Sequence, residues 1–218
     1  MFCPNCHADL LMNHLLDDRN IPPMTNRSKI LYPQCSSCGH VIQLADIAEH
    51  IQENKKVLLI TGTAGAGKTA IGQMIENKSD YIFIDGDAVQ KRVNYFVKRD
   101  PRIQADYQGE TIRTMLILLG LGYPVVVGYI INRETLERYQ TELAKYKITP
   151  VFRVLVPERN ICLERDIARD CWTAGAKWVD QWYDEMRSFL VTHPELCIDN
   201  SHETLEETFN HHFAALLN

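Results

Sequence analysis

The sequence contains no apolar run near the roughly 18 residues that crossing a bilayer requires. Met1-Phe2-Cys3-Pro4 also lacks the basic stretch and apolar core of a secretion signal. These absences read as a cytoplasmic protein with no membrane association. Basic charge is scarce: 23 Lys and Arg stand against 28 Asp and Glu, a net charge of −5. Broad electrostatic capture of nucleic acid or anionic membrane therefore has no compositional support. No internal repeat and no low-complexity segment is visible. With 45% hydrophobic and 23% charged residues in 218, the composition excludes a fibre or extended disorder. The length suits one large domain, or one medium domain with a small appendage.

Seven cysteines are present, and four form two C-x-x-C pairs, Cys3-Pro4-Asn5-Cys6 and Cys35-Ser36-Ser37-Cys38. A tight turn aims two soft thiolates at one point, and two such turns complete a tetrahedron around zinc. Cys3, Cys6, Cys35 and Cys38 are the favoured ligand set, with His7 and His40 as alternatives to an adjacent thiolate. Neither pair follows a strand and opens a helix, which argues against a thioredoxin-like redox site. Cys162, Cys171 and Cys197 stand alone and read as buried small hydrophobes.

Residues 1–43 are turn-rich and punctuated by Pro4, Pro22, Pro23 and Pro33, with too few apolar residues for an independent core. They read as a zinc ribbon. Leu44, Ile47, Ala48 and Ile51 recur at helical spacing and predict a connecting helix over 44–54. From residue 55 to 218 the pattern changes. Short apolar runs at Val57-Ile60, Tyr81-Ile84, Val125-Val127, Val151-Val156 and Leu196-Ile198 alternate with helical stretches. Continuous rather than alternating apolar strands, separated by helices, predict an α/β domain with a parallel sheet covered on both faces.

The first of these strands runs into Gly62-Thr63-Ala64-Gly65-Ala66-Gly67-Lys68-Thr69, which matches the P-loop pattern G-x-x-x-x-G-K-[ST] between a strand and a helix. Its glycines let the backbone wrap phosphates with N–H groups pointing inward. Lys68 supplies charge to the β and γ phosphates, and the Thr69 hydroxyl is offered to Mg²⁺. A nucleoside triphosphate such as ATP, with Mg²⁺, is the implied cofactor.

The second strand ends Ile84-Asp85-Gly86-Asp87, placing two acids at the carboxyl end of a parallel strand, where ligands bind. One acid can take the proton from an attacking hydroxyl while the other supports hydrated Mg²⁺. Both also suit turn and cap positions. The third strand continues Gly128-Tyr129-Ile130 without a carboxylate to position water, which favours phosphoryl transfer to a bound hydroxyl over hydrolysis. After the fourth strand, Arg165 and Arg169 lie four apart on a predicted helix opened by Pro157. In a closing lid, Arg169 would reach the transferring phosphoryl group and Arg165 the adenine or its phosphates. The alternative is a solvated helix with Glu164, Asp166 and Asp170 as surface partners.

From about residue 55 to the end, the chain resembles the small P-loop kinases related to adenylylsulfate kinase, gluconate kinase, chloramphenicol phosphotransferase and zeta toxin. The resemblance rests on the P-loop at 62–69, the Ile84-Asp85-Gly86-Asp87 strand end, Leu163-x-Arg165-x-x-x-Arg169, and Cys197-Ile198-Asp199-Asn200-Ser201 before a final amphipathic helix. It implies a three-layer P-loop fold with a five-stranded parallel sheet in the order 2-3-1-4-5. It further implies Asp87 as general base, residues 199–202, including Asn200, as the turn lining the adenine, and lid arginines closing over ATP. Two departures stand out. The cysteine ribbon is foreign to these kinases, and Asp87 is followed by Ala88-Val89-Gln90 rather than the Asn-Val-Arg of adenylylsulfate kinase.

The expected activity is ATP- and Mg²⁺-dependent phosphorylation of a hydroxyl on a small-molecule acceptor. Arg92, Lys98, Arg99, Arg102, Arg113 and Arg133 are candidates for an anionic acceptor group, and Trp178 and Trp182 for an aromatic one. A polynucleotide 5′-hydroxyl kinase is the second reading. It is disfavoured because residues 1–50 carry three basic against five acidic side chains. A nucleotide-dependent switch with the ribbon as protein-binding module is the third. The sequence names neither the acceptor nor an oligomeric state.

Overall fold

The computed structural model describes residues 5–7, 35, 37–53, 56–100, 104–169 and 173–217. Five parallel strands form one sheet: β1 (Val57–Gly62), β2 (Ile82–Asp85), β3 (Val125–Gly128), β4 (Val151–Leu155) and β5 (Cys197–Ile198), in the order β2-β3-β1-β4-β5. The expected class, strand positions and strand order are all present. β1 pairs with β3 from Val57↔Val125 to Ile60↔Gly128, and with β4 from Leu58↔Val151 to Gly62↔Leu155.

Every residue of β1 is buried, because helices cover both sheet faces. Val57 and Leu59 join one apolar cluster with Val125, Val127, Val154 and Phe189. Leu58 and Ile60 point the other way, to Val126, Leu155, Ile71, Ile75, Phe209 and Phe213. This strict alternation into two cores explains the uninterrupted apolar run. Each such side chain contributes on the order of 1.5–3 kcal/mol of burial.

Ile71 and Ile75 belong to the helix after the P-loop, Lys68–Lys78, and Phe209 to the last helix, Leu205–His212. The opposite face is covered by helices Gly86–Arg99, Tyr107–Gly120, Arg133–Ala144 and Ala176–Thr192. Between β4 and Ala176–Thr192 lies the short helix Arg159–Ile167.

The stretch expected as one connecting helix is a single α turn, Leu44–Ile47, followed by a 3₁₀ helix, Ala48–Glu53. Gln43 and Asp46 form a capping box at its start. The tighter winding stacks residues three apart, which aligns Ala48 with Ile51. Ile51 is fully buried in the same cluster as Leu59 and Val125, so this stretch is packed into the α/β core.

Among the described residues, no helix is long and apolar enough to cross a membrane.

Candidate active site

The loop leaving β1 takes its shape from its glycines. Gly65 has φ +78°, and a Cβ there would lie 2.0 Å from the carbonyl oxygen of Cys162. Any other residue at this position would force the P-loop away from helix Arg159–Ile167. Gly67, at φ +101°, is the N-cap of helix Lys68–Lys78, so the loop delivers its N–H groups at a helix N-terminus, where anions are favoured. The loop is also held from behind. Thr63 Oγ1 donates to Val179 O (3.0 Å), and Thr61 Oγ1 accepts from Ile131 N (2.7 Å). All four hydrogen-bonding residues are buried.

Lys68 folds back along the loop, with Nζ donating to Gly62 O and Thr63 O, each at 2.9 Å. Burial pulls its amine down to about 8. Nearby Asp87 and Asp85 oppose the shift, and the positive charge of Arg169 reinforces it. Lys68, Asp85, Asp87 and Arg169, which the sequence singled out from three separate segments, therefore lie in one electrostatic neighbourhood.

The two acids are not equivalent. Asp85 ends β2 and is the N-cap of helix Gly86–Arg99; its Oδ1 accepts from Asp87 N at 2.9 Å. Burial, then the charge of Asp87, raises its pKa. Asp87 stands in the first turn of the helix, half-buried. Between them, Gly86 is tightly constrained, since a Cβ would meet the Tyr129 ring at 2.3 Å. Tyr129 thus closes the carboxyl end of β3 against the acids. Its phenol is pushed up to about 12 by burial, then by the charge of Asp87.

The lid arginines differ from expectation in one respect. Helix Arg159–Ile167 ends with Ala168 as its C-cap, so Arg169 lies beyond the helix rather than one turn above Arg165. The reason is Asp166. It is 1% exposed, not a surface partner, and its Oδ2 accepts from Gly175 N at 3.0 Å while Arg169 Nη1 lies 3.5 Å from its Oδ1. The carboxylate thus links the end of this helix to Gly175, the N-cap of helix Ala176–Thr192. Arg165 instead donates to Asn200 O (2.8 Å), and Asn200 Nδ2 donates to Ala66 O (3.3 Å). Asn200 is buried with its Oδ1 unsatisfied. Arg165, the 199–202 turn and the P-loop are thereby joined. Asp170 and Cys171 lie outside the described residues.

The acceptor candidates separate. Arg113 pairs with Glu110 (2.8 Å). Arg133 donates to Thr192 and stacks over Phe189. Arg92 lies over Phe96. Lys98 is exposed, and Arg102 and the Arg99 side chain lie outside the described residues. Trp178 and Trp182 contact each other edge-on, 6.1 Å between centroids, with Trp178 43% exposed. Sequence reasoning missed Asp166 and Tyr129 as site residues. Their signals were weak: an acid inside a charged helix, and the aromatic residue standing where a carboxylate was sought.

In the N-terminal segment, the Sγ atoms of Cys6, Cys35 and Cys38 lie within 4.8 Å of one another, Cys6 and Cys35 being 3.6 Å apart. A Zn–S bond of about 2.3 Å places tetrahedral sulfurs about 3.8 Å apart, so the cluster fits a zinc ion. Cys3 lies outside the described residues. Cys35 N donates to His40 O and Gly39 N to Cys35 O, both 2.8 Å, which forms the tight turn. His40 Nε2 faces Asp46 Oδ2 at 3.0 Å, and among the described residues His40 does not join the three thiols in their cluster.

The fold is a three-layer α/β arrangement with a P-loop after β1, shared with solved kinases. It is similar to a gluconokinase from Sinorhizobium meliloti, at 18% identity and TM-score 0.55, covering 74% of this chain and 91% of that one. It is also similar to a sugar kinase from Janibacter sp., at 14% identity and TM-score 0.53, covering 75% and 99%. A tunicamycin resistance protein from Deinococcus radiodurans matches at 16% identity and TM-score 0.51, covering 72% and 92%. The zeta toxin family model matches residues 43–116, a span that includes the P-loop, both acids and the packed segment at 44–53. No curated protein matches the sequence.

Proposed function

We propose that the protein is an ATP- and Mg²⁺-dependent kinase that phosphorylates a hydroxyl of a small-molecule acceptor. The observation that carries this reading is that Asp85, Asp87 and Arg169 lie close enough to Lys68 for their charges to act on its amine, beside the loop that leaves β1. A P-loop with a carboxylate beside its lysine supplies phosphate binding and a proton acceptor together, which a nucleotide switch does not need.

In this reading the P-loop amides and Lys68 hold the β and γ phosphates, and Thr69 and Asp85 are the residues suited to hydrated Mg²⁺. The ion would offset charge on the phosphate oxygens. The acceptor oxygen attacks the γ phosphorus, the bond from that phosphorus to the β–γ bridging oxygen breaks, and ADP leaves. The acceptor proton passes to the Asp87 carboxylate. Asp87 is favoured as the base because one oxygen of Asp85 already caps the helix. Arg169 would move from Asp166 to the transferring phosphoryl group, where its charge counts most, and Arg165 with Asn200 would border the nucleotide base.

Zinc held by Cys6, Cys35 and Cys38, with Cys3 as fourth ligand, would stabilise the N-terminal segment. The convergence of the three described thiols supports this reading. The function is tested by measuring ATP consumption across a library of hydroxyl compounds, oligonucleotides included. Acceptor-dependent ADP release with a small molecule supports it. Stimulation by oligonucleotides alone favours a polynucleotide kinase, and tight ATP binding without turnover favours a switch.

A further inference from the structure

The last helix carries a second group of metal-type donors, remote in sequence from the thiols. Side chains on a helix lean toward its N-terminus, and the final turn of Leu205–His212 reaches back to Glu203, just before the N-cap Thr204. His211 Nδ1 and His212 Nε2 lie 3.0 and 3.2 Å from the same oxygen, Glu203 Oε1. One donor atom from each of the three residues falls within 4.8 Å of the others.

The geometry of the acid is set by its neighbours. Thr204 and Glu207 form a capping box, which fixes the chain entering the helix. Thr208 Oγ1 is committed to Thr204 O (3.0 Å), and Glu203 Oε2 is buried without a hydrogen-bond partner. The oxygen that faces both imidazoles is Oε1, so it is the carboxylate atom placed to share an ion with them. The side chain of Glu203 is 22% exposed, that of His212 32% and that of His211 60%, which leaves a path for an ion from solvent.

We propose that Glu203, His211 and His212 form a binding site for a divalent transition-metal ion such as Zn²⁺, Ni²⁺ or Co²⁺. Two imidazoles and one carboxylate suit these ions and not Mg²⁺, which takes oxygen ligands and keeps its waters. Bonds of about 2.0–2.1 Å in a tetrahedral site place two donors about 3.3 Å apart, near the 3.0 and 3.2 Å separations observed. Water would complete the coordination. The site has a structural consequence. Glu203 follows the turn carrying Asn200, whose side chain holds Ala66 O of the P-loop. A bound ion therefore ties the last helix to the turn that braces the phosphate loop.

The test is a Co²⁺ titration of the full-length protein as purified, followed by visible and near-ultraviolet absorption and by thermal melting. The expected result is one added cobalt per chain with visible ligand-field bands, no thiolate charge-transfer band, and a raised melting temperature. The double variant His211→Ala/His212→Ala should lose that cobalt and the rise in melting temperature. Glu203→Gln should weaken both while the N-terminal thiols remain intact. The inference is overturned if no cobalt binds, if the double variant binds as the parent does, or if all bound cobalt shows the thiolate band. In each of those outcomes the three side chains form a charge-paired cluster alone.

Discussion

The backbone N–H of Asp87 donates to Asp85 Oδ1 at 2.9 Å, so one acid of the pair caps the helix on which the other stands. This relationship divides their roles. Asp87→Asn should lower acceptor turnover by roughly 10²–10⁴-fold, the usual contribution of a positioned general base, with little change in ATP affinity. Asp85→Asn keeps a side chain that caps well and should leave stability near the parent's, while raising the Mg²⁺ requirement. Asp85→Ala should in addition destabilise the domain by about 1 kcal/mol. Steady-state kinetics and denaturant titration read these effects. Full turnover in both Asn variants would remove the acids from the chemistry.

Lys68 predicts a stability effect opposite in sign to its functional one. Its pKa falls from 10.5 unfolded to about 8 folded. Between those values the unfolded chain binds the extra proton, so this group makes stability rise with pH across the window. Below about 8 the cation is charged in both states and its full burial penalty applies. Lys68→Met should therefore raise the melting temperature of the nucleotide-free protein at pH 7, flatten the rise in stability between pH 8 and 10, and weaken ATP binding or abolish turnover. Unchanged ATP affinity and rate would show that the loop does not use its lysine.

Asp166 holds Gly175 N and faces Arg169, so in the proposed kinase it is a positioning residue for Arg169. Asp166→Asn should lower kcat more than it raises the KM for ATP, because it misplaces a charge that acts mainly on the transferring group. The effect should vanish in an Arg169→Ala background, since both changes act through one side chain. Equal losses of kcat in both backgrounds would make Asp166 structural alone.

The thiol cluster predicts about one zinc per chain in protein prepared without chelator. Cys35→Ser should release it and destabilise the N-terminal segment, leaving the α/β core largely folded, as read by metal analysis and circular dichroism. A zinc-free preparation would contradict the site.

The sequence made the sheet legible because its strands are buried on both faces. Val57–Ile60 and Val125–Val127 had no polar residue to confuse the reading. The P-loop was legible because its glycines and lysine carry chemistry at fixed spacing. The end of helix Arg159–Ile167 was not, because charge periodicity continues through Arg169. Only folding reveals that Asp166 turns inward to bind Gly175 N. Tyr129 was hidden for a similar reason: its contact with Gly86 joins β3 to β2 across 43 residues. The 3₁₀ winding of Ala48–Glu53 was not legible either, because Leu44, Ile47, Ala48 and Ile51 share a face in an α-helix as well.

The most direct test is phosphoryl transfer from γ-labelled ATP to an acceptor found in the hydroxyl library, comparing the parent protein with Asp87→Asn. An Asp87-assisted kinase labels the acceptor in the parent, and the variant, still binding ATP, does so at least about 10²-fold more slowly. Labelling of the verified acceptor at the parent rate in Asp87→Asn, or release of inorganic phosphate with no acceptor labelled at all, would contradict it.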